Sequence, residues 1–304
     1  VKKSSLADLG EEGLLHLLTA KWKASRAVQV GVGDDCAVLR DRGRFLLLKT
    51  DAVVEGVHFR ADAPPALIGR KALARALSDI AAMGGRPLAA VITLGLPPDE
   101  SPARLAAIYR GIERTAREFR VDLVGGETTR ARELFLNVAL LGESRKPVLR
   151  STARAGDLIF VTGKLGGTQA RRHLTFTPRL AEGQWLAATE TATAMMDLSD
   201  GLGADLPRLA RASRLGFELE ADSIPRARGV SMEEALNDGE DYELLFTVAP
   251  ARANILKKKW PFATPLHCIG AMRKGRQSGA ALAHGFDHFK QRRSRPGLRG
   301  KLGR

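Results

Sequence analysis

The sequence predicts an α/β or α+β protein of two domains. Segments with helical spacing alternate with short apolar runs, the pattern of layered helices and strands. The 304 residues are enough for two cores of ordinary size. A polar, basic stretch from about Lys146 to Gly156, broken by Pro147, separates two rounds of this alternation. These features divide the chain into 1–149, 150–289 and a tail, 290–304.

The elements follow in order. Leu9 to Leu18 carries helical spacing, and Phe45 to Leu48 is a short apolar run that fits a buried strand. Ala66 to Met83 is the clearest helix, and Gly84-Gly85 ahead of Pro87 stops it. Strands are expected at Leu88–Leu94 and Leu134–Leu141, with a helix from Pro102 to Phe119 between them. Beyond the break come a strand at Leu158–Thr162, a helix, a strand at Ala192–Met196, a helix at Leu202–Ala212 and a strand at Tyr242–Val248.

Composition narrows the class. With 44% apolar and 27% charged residues and no apolar run near the roughly 20 residues of a membrane span, a soluble protein is expected. The opening residues lack the continuous apolar segment of a secretory signal, so the cytoplasm is the expected compartment. Cys36 and Cys268 are too few and too far apart for a disulfide framework or a CxxC metal site, and read as buried free thiols. The excess of 48 Lys plus Arg over 34 Asp plus Glu gives a formal charge of +14, which favours polyanionic partners: nucleic acid, an acidic membrane surface or phosphorylated metabolites. Seven of the basic residues lie between Lys290 and Arg304, a stretch with no acid and four glycines or prolines that reads as a disordered tail.

The acids stand at the ends of elements. Gly31-Val32-Gly33-Asp34-Asp35 sets adjacent carboxylates in a glycine-flanked turn, and Asp51 follows an apolar strand. Asp79 sits in a helix among Ala76, Ala82 and Met83, where a carboxylate must be paired or bind a metal. Its nearest candidate partner is Arg75, four residues back. Gly125-Gly126-Glu127-Thr128-Thr129-Arg130 follows a short strand, and Asp197-Leu198-Ser199-Asp200-Gly201 marks a strand-to-helix passage, where Ser199 or Asp200 could also cap the helix. Several acids collected at strand ends in a basic protein imply divalent cations, and oxygen-only ligands point to Mg²⁺. GxxxxGK[ST], GxGxxG and the kinase HRD and DFG motifs are all absent, so the ordinary nucleotide folds are not expected.

The strings GVGDDCAVL, TDAVVEGVHF, KALARALSDIAAMGGRP, VGGETTR, DLSDGLGADL and DGEDYELLFTV, in this order from Val30 to Val248, resemble the successive signatures of the thiamine-monophosphate kinase family. The resemblance implies a two-domain fold like that of aminoimidazole ribonucleotide synthetase, with the N-terminal sheets of two subunits joined into a barrel and ATP near the dimer interface. It implies Mg²⁺-dependent transfer of the ATP γ-phosphoryl to thiamine monophosphate, giving thiamine diphosphate and ADP. Carried over by position, Asp35, Thr50, Asp51, Asp79, Glu127, Asp197 and Asp200 match metal ligands. Gly125, Gly126, Ser199, Arg150 and Tyr109 match nucleotide contacts, and His58, Glu240 and Phe286 match acceptor contacts.

The chain departs from the family pattern in places. Lys49 stands before Thr50-Asp51 where Ser or Thr is usual in the family; it cannot ligate Mg²⁺ and could place an ammonium where one ion would sit. Glu127 replaces the usual aspartate, Gly167 stands where aspartate is frequent, and the region before Arg179 is short. Two alternatives follow. One is a related ATP-dependent enzyme with another acceptor. The other is a basic nucleic-acid-binding homologue that has lost catalysis, whose mark would be steeply salt-dependent binding without ATP turnover.

Overall fold

The computed structural model describes residues 5–168 and 172–275. Phe286 and the basic tail lie outside the described residues.

Helix α1 (Leu6–Thr19) opens at a capping box, in which the Asp8 amide donates to Ser5 Oγ and the Ser5 amide donates to the Asp8 carboxylate. It kinks at Gly10. There follow β1 (Val28–Val30), β2 (Ala37–Asp41), β3 (Arg44–Val54), α2 (Pro65–Ala82), β4 (Arg86–Leu96), α3 (Pro102–Phe119), β5 (Asp122–Arg130) and β6 (Phe135–Ser144). These strands form a six-stranded sheet in the order β1-β2-β3-β6-β4-β5, antiparallel except for the β4–β5 pair. Among the described residues the sheet is open, with β1 and β5 at its edges.

The second half comprises β7 (Leu158–Thr162), α4 (Arg172–Thr175), α5 (Leu180–Ala188), β8 (Ala192–Asp197), α6 (Leu202–Ala212), β9 (Gly216–Leu219), α7 (Met232–Asn237), β10 (Leu244–Val248), α8 (Pro250–Lys259) and β11 (Leu266–Arg273). Its five strands make a wholly antiparallel sheet in the order β8-β10-β7-β11-β9.

Helix α2 joins the two halves. Pro65 stands at its first turn, where a missing amide hydrogen costs nothing, and Gly84 beyond its end takes a φ of 63°. Ile68, Leu73, Leu77 and Ile80 are fully buried and share one core with Phe160, Met195, Leu244 and Phe246 of the second sheet. Each such side chain contributes about 1.5–3 kcal/mol by leaving water. The α2–α3 crossing is close enough to demand glycine, since a Cβ on Gly69 would stand 2.0 Å from the Ile108 carbonyl oxygen.

The Gly-Gly-Glu motif does not follow a strand; it lies inside β5. There a bulge pairs Leu123 with Ala90 and Gly125 with Val91, leaving Val124 unpaired and 64% exposed. All of β5 is exposed. Cys36 is buried but Cys268 only half-buried, and both are free thiols. No helix among the described residues is long and apolar enough to cross a membrane.

Candidate active site

Strand alternation aims the residues of β3 at opposite faces. Leu47 and Val53 are buried on the α2 side, so Lys49 and Asp51 face the helix while Leu48 and Thr50 face away. Consequently the Thr50 hydroxyl does not join the acids facing α2, and instead donates to Asn137 Oδ1 at 2.9 Å. Asp51 meets Arg75 of α2 at 3.1 Å, and Lys49 Nζ donates to Asp79 Oδ1 at 2.9 Å. The local Arg75–Asp79 pair is therefore replaced by two pairs across the helix–sheet contact. β3 presents both Lys49 and Asp51 to successive turns of α2, and each takes one of the two helix residues as its partner.

Asp35, Asp79 and Asp197 converge from the turn before β2, from α2 and from the end of β8. One ligand oxygen of each lies within 4.8 Å of the others. All three residues are buried. Arg150 binds Asp35 Oδ1 through Nη2 and approaches Asp34 at 3.3 Å, and Ser78 Oγ donates to Asp197 Oδ2 at 2.6 Å. Burial, and then the negative charge of Asp35, push Asp197 up to about 7 against the Ser78 hydrogen bond. Burial likewise raises Asp79, opposed by Lys49. Burial works against the Lys49 ammonium, but Asp79 and Asp51 outweigh it and hold its pKa above the ordinary lysine value. Asp35 Oδ2 is buried without a hydrogen-bond partner. An orphaned carboxylate oxygen inside an oxygen-only donor set fits a divalent cation such as Mg²⁺.

Asp79 and Asp197 of the trio line a cavity of about 430 Å³, together with Asp51, His58, Ser199, Asp200, Glu240 and Tyr242. Asp200 is held by Arg208, and its amide donates to the buried Asp205 at 3.0 Å. His58 Nδ1 accepts from the Val54 amide at 3.1 Å, which puts the proton of the neutral ring on Nε2.

Glu240 and Tyr242 adopt left-handed φ values of 63° and 51°. For side chains other than glycine this costs about 1–3 kcal/mol each. Hydrogen bonds from their amides to the Ser199 and Leu198 carbonyls, at 2.7 and 2.8 Å, hold the turn. The Glu240 carboxylate meets Lys71 Nζ at 2.6 Å and His173 Nδ1 at 3.2 Å. Burial opposes its ionisation, but the His173 hydrogen bond and the Lys71 charge bring it down to about 2. Burial in turn lowers Lys71 to about 8, with Glu240 opposing.

Other expected site residues stand apart from this cavity. Gly126 and Glu127 pair with Ile92 and Thr93, which pair with Val138 and Asn137, which pair with Asp51 and Ala52. Glu127 is thus about three strand spacings, or ~14 Å, from Asp51 within one chain. Gly126 lets β5 approach β4, since a Cβ there would lie 1.9 Å from the Ile92 carbonyl oxygen. Tyr109 packs half-buried against the core. Sequence reasoning did not single out Lys71, Ser78 or His173. A lysine and a serine on the apolar face of α2 were the available signal for the first two.

The domain patterns described as AIR synthase related protein, N-terminal domain, and AIR synthase related protein, C-terminal domain, match residues 33–144 and 156–260. A thiamine-monophosphate kinase of Rhodopirellula baltica is 37% identical over 81% of this chain and 84% of its own length. The chain belongs to the thiamine-monophosphate kinase family. The Bacillus subtilis enzyme of that name is 31% identical over 93% of this chain and 100% of its own length. A solved structure of AaThiL complexed with AMPPCP and TMP superposes with a TM-score of 0.86 at 31% identity, covering 95% of this chain and 100% of that one. The thiamine-monophosphate kinase family thus carries the two-domain mixed α/β fold found here.

Proposed function

We propose that this protein is a cytoplasmic, Mg²⁺-dependent thiamine-monophosphate kinase that uses ATP as phosphoryl donor. The observation that carries the proposal is the buried trio Asp35, Asp79 and Asp197, two of whose members line a cavity that also holds His58 and Glu240, with an unpartnered oxygen on Asp35.

A terminal phosphate oxygen of thiamine monophosphate forms a bond to the ATP γ-phosphorus. The bond from that phosphorus to the β–γ bridging oxygen breaks, and ADP leaves. No protein nucleophile takes part. Mg²⁺, when bound, would neutralise phosphate charge and align the two substrates.

Asp35, Asp51, Asp79, Asp197 and Asp200 would hold the metal, with Thr50 and Glu127 as further candidates from the same motifs. Arg150 would pass from Asp35 to the nucleotide phosphates once metal neutralises that acid. Ser199, Gly125, Gly126 and Tyr109 are assigned to the nucleotide, and His58, Glu240 and Phe286 to the acceptor. His58 would offer an Nε2 proton, and Glu240, ionised above about pH 2, a carboxylate.

Because Gly125, Gly126 and Glu127 stand on an exposed edge strand away from the acid trio, we assign them to a nucleotide site completed by a second copy, in a homodimer whose N-terminal sheets form a barrel. The division at 149/150 then separates the nucleotide-binding and dimerising part from the C-terminal part.

A single-turnover assay with ATP, Mg²⁺ and thiamine monophosphate tests the reading. Thiamine diphosphate is expected, and its absence with folded protein rejects the assignment.

A further inference from the structure

Asp51, Asp79 and Asp197 line the cavity, and Asp35 stands behind them within 4.8 Å of Asp79 and Asp197. Three cations already stand among them. Arg75 is on Asp51, Arg150 is on Asp35, and Lys49 donates to Asp79 at 2.9 Å. Their standing differs. Arg150 comes from the segment linking the two sheets, outside any regular element, and has two acids to choose from. Arg75 is also tied down by the Ala52 carbonyl at 3.0 Å. Lys49 issues from the middle of β3, where β6 pairs it with Leu140 and the β2 ladder ends at the preceding residue, Leu48. Its Cα–Cβ direction is set by the same pleat that buries Leu47 and Val53.

We infer that Lys49 is a built-in cation of this site: its ammonium holds Oδ1 of Asp79, leaving that residue one oxygen for an ion shared with Asp35 and Asp197, so the chain takes up one divalent ion fewer than its carboxylates could hold. The inference rests on the phosphotransferase reading and specifies the metal content of that same site. An ammonium at 2.9 Å supplies positive charge but no coordination site, because it has three N–H donors and no lone pair. It also occupies a carboxylate oxygen that a Mg²⁺ ion would need at about 2.0–2.1 Å. Part of the charge facing the phosphates is then covalent to the protein and independent of the free metal concentration.

The test is a count of bound Mn²⁺ by electron paramagnetic resonance in the presence of AMPPCP. Lys49→Ser, which removes the ammonium and leaves a hydroxyl, is expected to bind one more Mn²⁺ per chain than the unsubstituted protein, and Lys49→Arg is expected to bind the same number. An unchanged count in a Lys49→Ser protein that keeps its circular dichroism overturns the inference. Should that variant not fold, acetylation of Lys49 in the unsubstituted protein, followed by mass spectrometry, decides instead. Lys49 is expected to stay protected when Mn²⁺ is added, and metal-induced reactivity, the sign of displacement, overturns the inference. If the unsubstituted protein binds no Mn²⁺ with AMPPCP, the phosphotransferase reading falls together with this one.

Discussion

Lys71 and Glu240 meet at 2.6 Å, and the lysine is wholly buried. Its ammonium also donates to the His58 carbonyl at 2.6 Å and stands 2.8 Å from His173 Nδ1, so one charge from α2 ties together two of the three residues assigned to the acceptor, His58 and Glu240. Lys71→Met would leave Glu240 without its cation. Breaking a buried pair in this way costs about 3–5 kcal/mol, which urea unfolding would register. Steady-state kinetics should show the KM for thiamine monophosphate rising more than the KM for ATP.

Ser78 touches the proposed metal only through Asp197, whose Oδ2 accepts its hydroxyl at 2.6 Å. Ser78→Ala is expected to weaken Mg²⁺ by about 10–100-fold, the usual effect of removing a group that orients a ligand. The measurement is the Mg²⁺ concentration needed for half-maximal turnover, and an unchanged value would exclude this orienting role.

The pH dependence of stability has an identifiable contributor in Asp241. Burial, only partly offset by Arg172 and the Gly166 amide, raises it from 3.8 to about 8. Between those values the folded protein keeps a proton that the unfolded chain has lost. The favourable contribution is therefore complete below the lower value and fades as pH climbs through the upper one. Asp241→Asn, which cannot ionise, should flatten the decline in Tm from about pH 4 to about pH 8; parallel curves for the two proteins would refute this.

If β5 meets a second copy, its exposed Leu123 and Val124 are at the contact. Replacing both by Asp is expected to convert a dimer to a monomer in sedimentation velocity and to abolish turnover, with the far-ultraviolet spectrum unchanged. An active monomer would refute the assignment of Gly125, Gly126 and Glu127 to a shared site.

The parts of the fold legible in the sequence were those with local causes. α2 announced itself through apolar spacing and Gly84-Gly85 at its end, and α3 through the run from Pro102 to Phe119, whose start the structure caps with the Ser101 hydroxyl accepting from the Arg104 amide. β5 was hidden because Gly-Gly-Glu-Thr-Thr-Arg is polar and exposed on an edge strand, where no alternation is enforced. β11 was missed for a related reason: the bulge between Cys268 and Gly270 breaks its period. Of the site, the clustering of Asp35, Asp79 and Asp197 followed the motifs, whereas the partners did not. Arg75 is the sequence neighbour of Asp79, but Lys49, thirty residues away, is its partner. Which base meets which acid is decided when β3 docks on α2, and spacing along one helix carries no information about that.

α2 lends one flank to the interior of each half and hands Asp79 to a nest completed by Asp197 from the opposite sheet. Gene fission near position 149 would put members of that nest on separate polypeptides and strip the greasy side of α2 bare. The halves are thus obliged to evolve in step, because any tilt of this shared beam that suits one interior moves the acidic chemistry at the other.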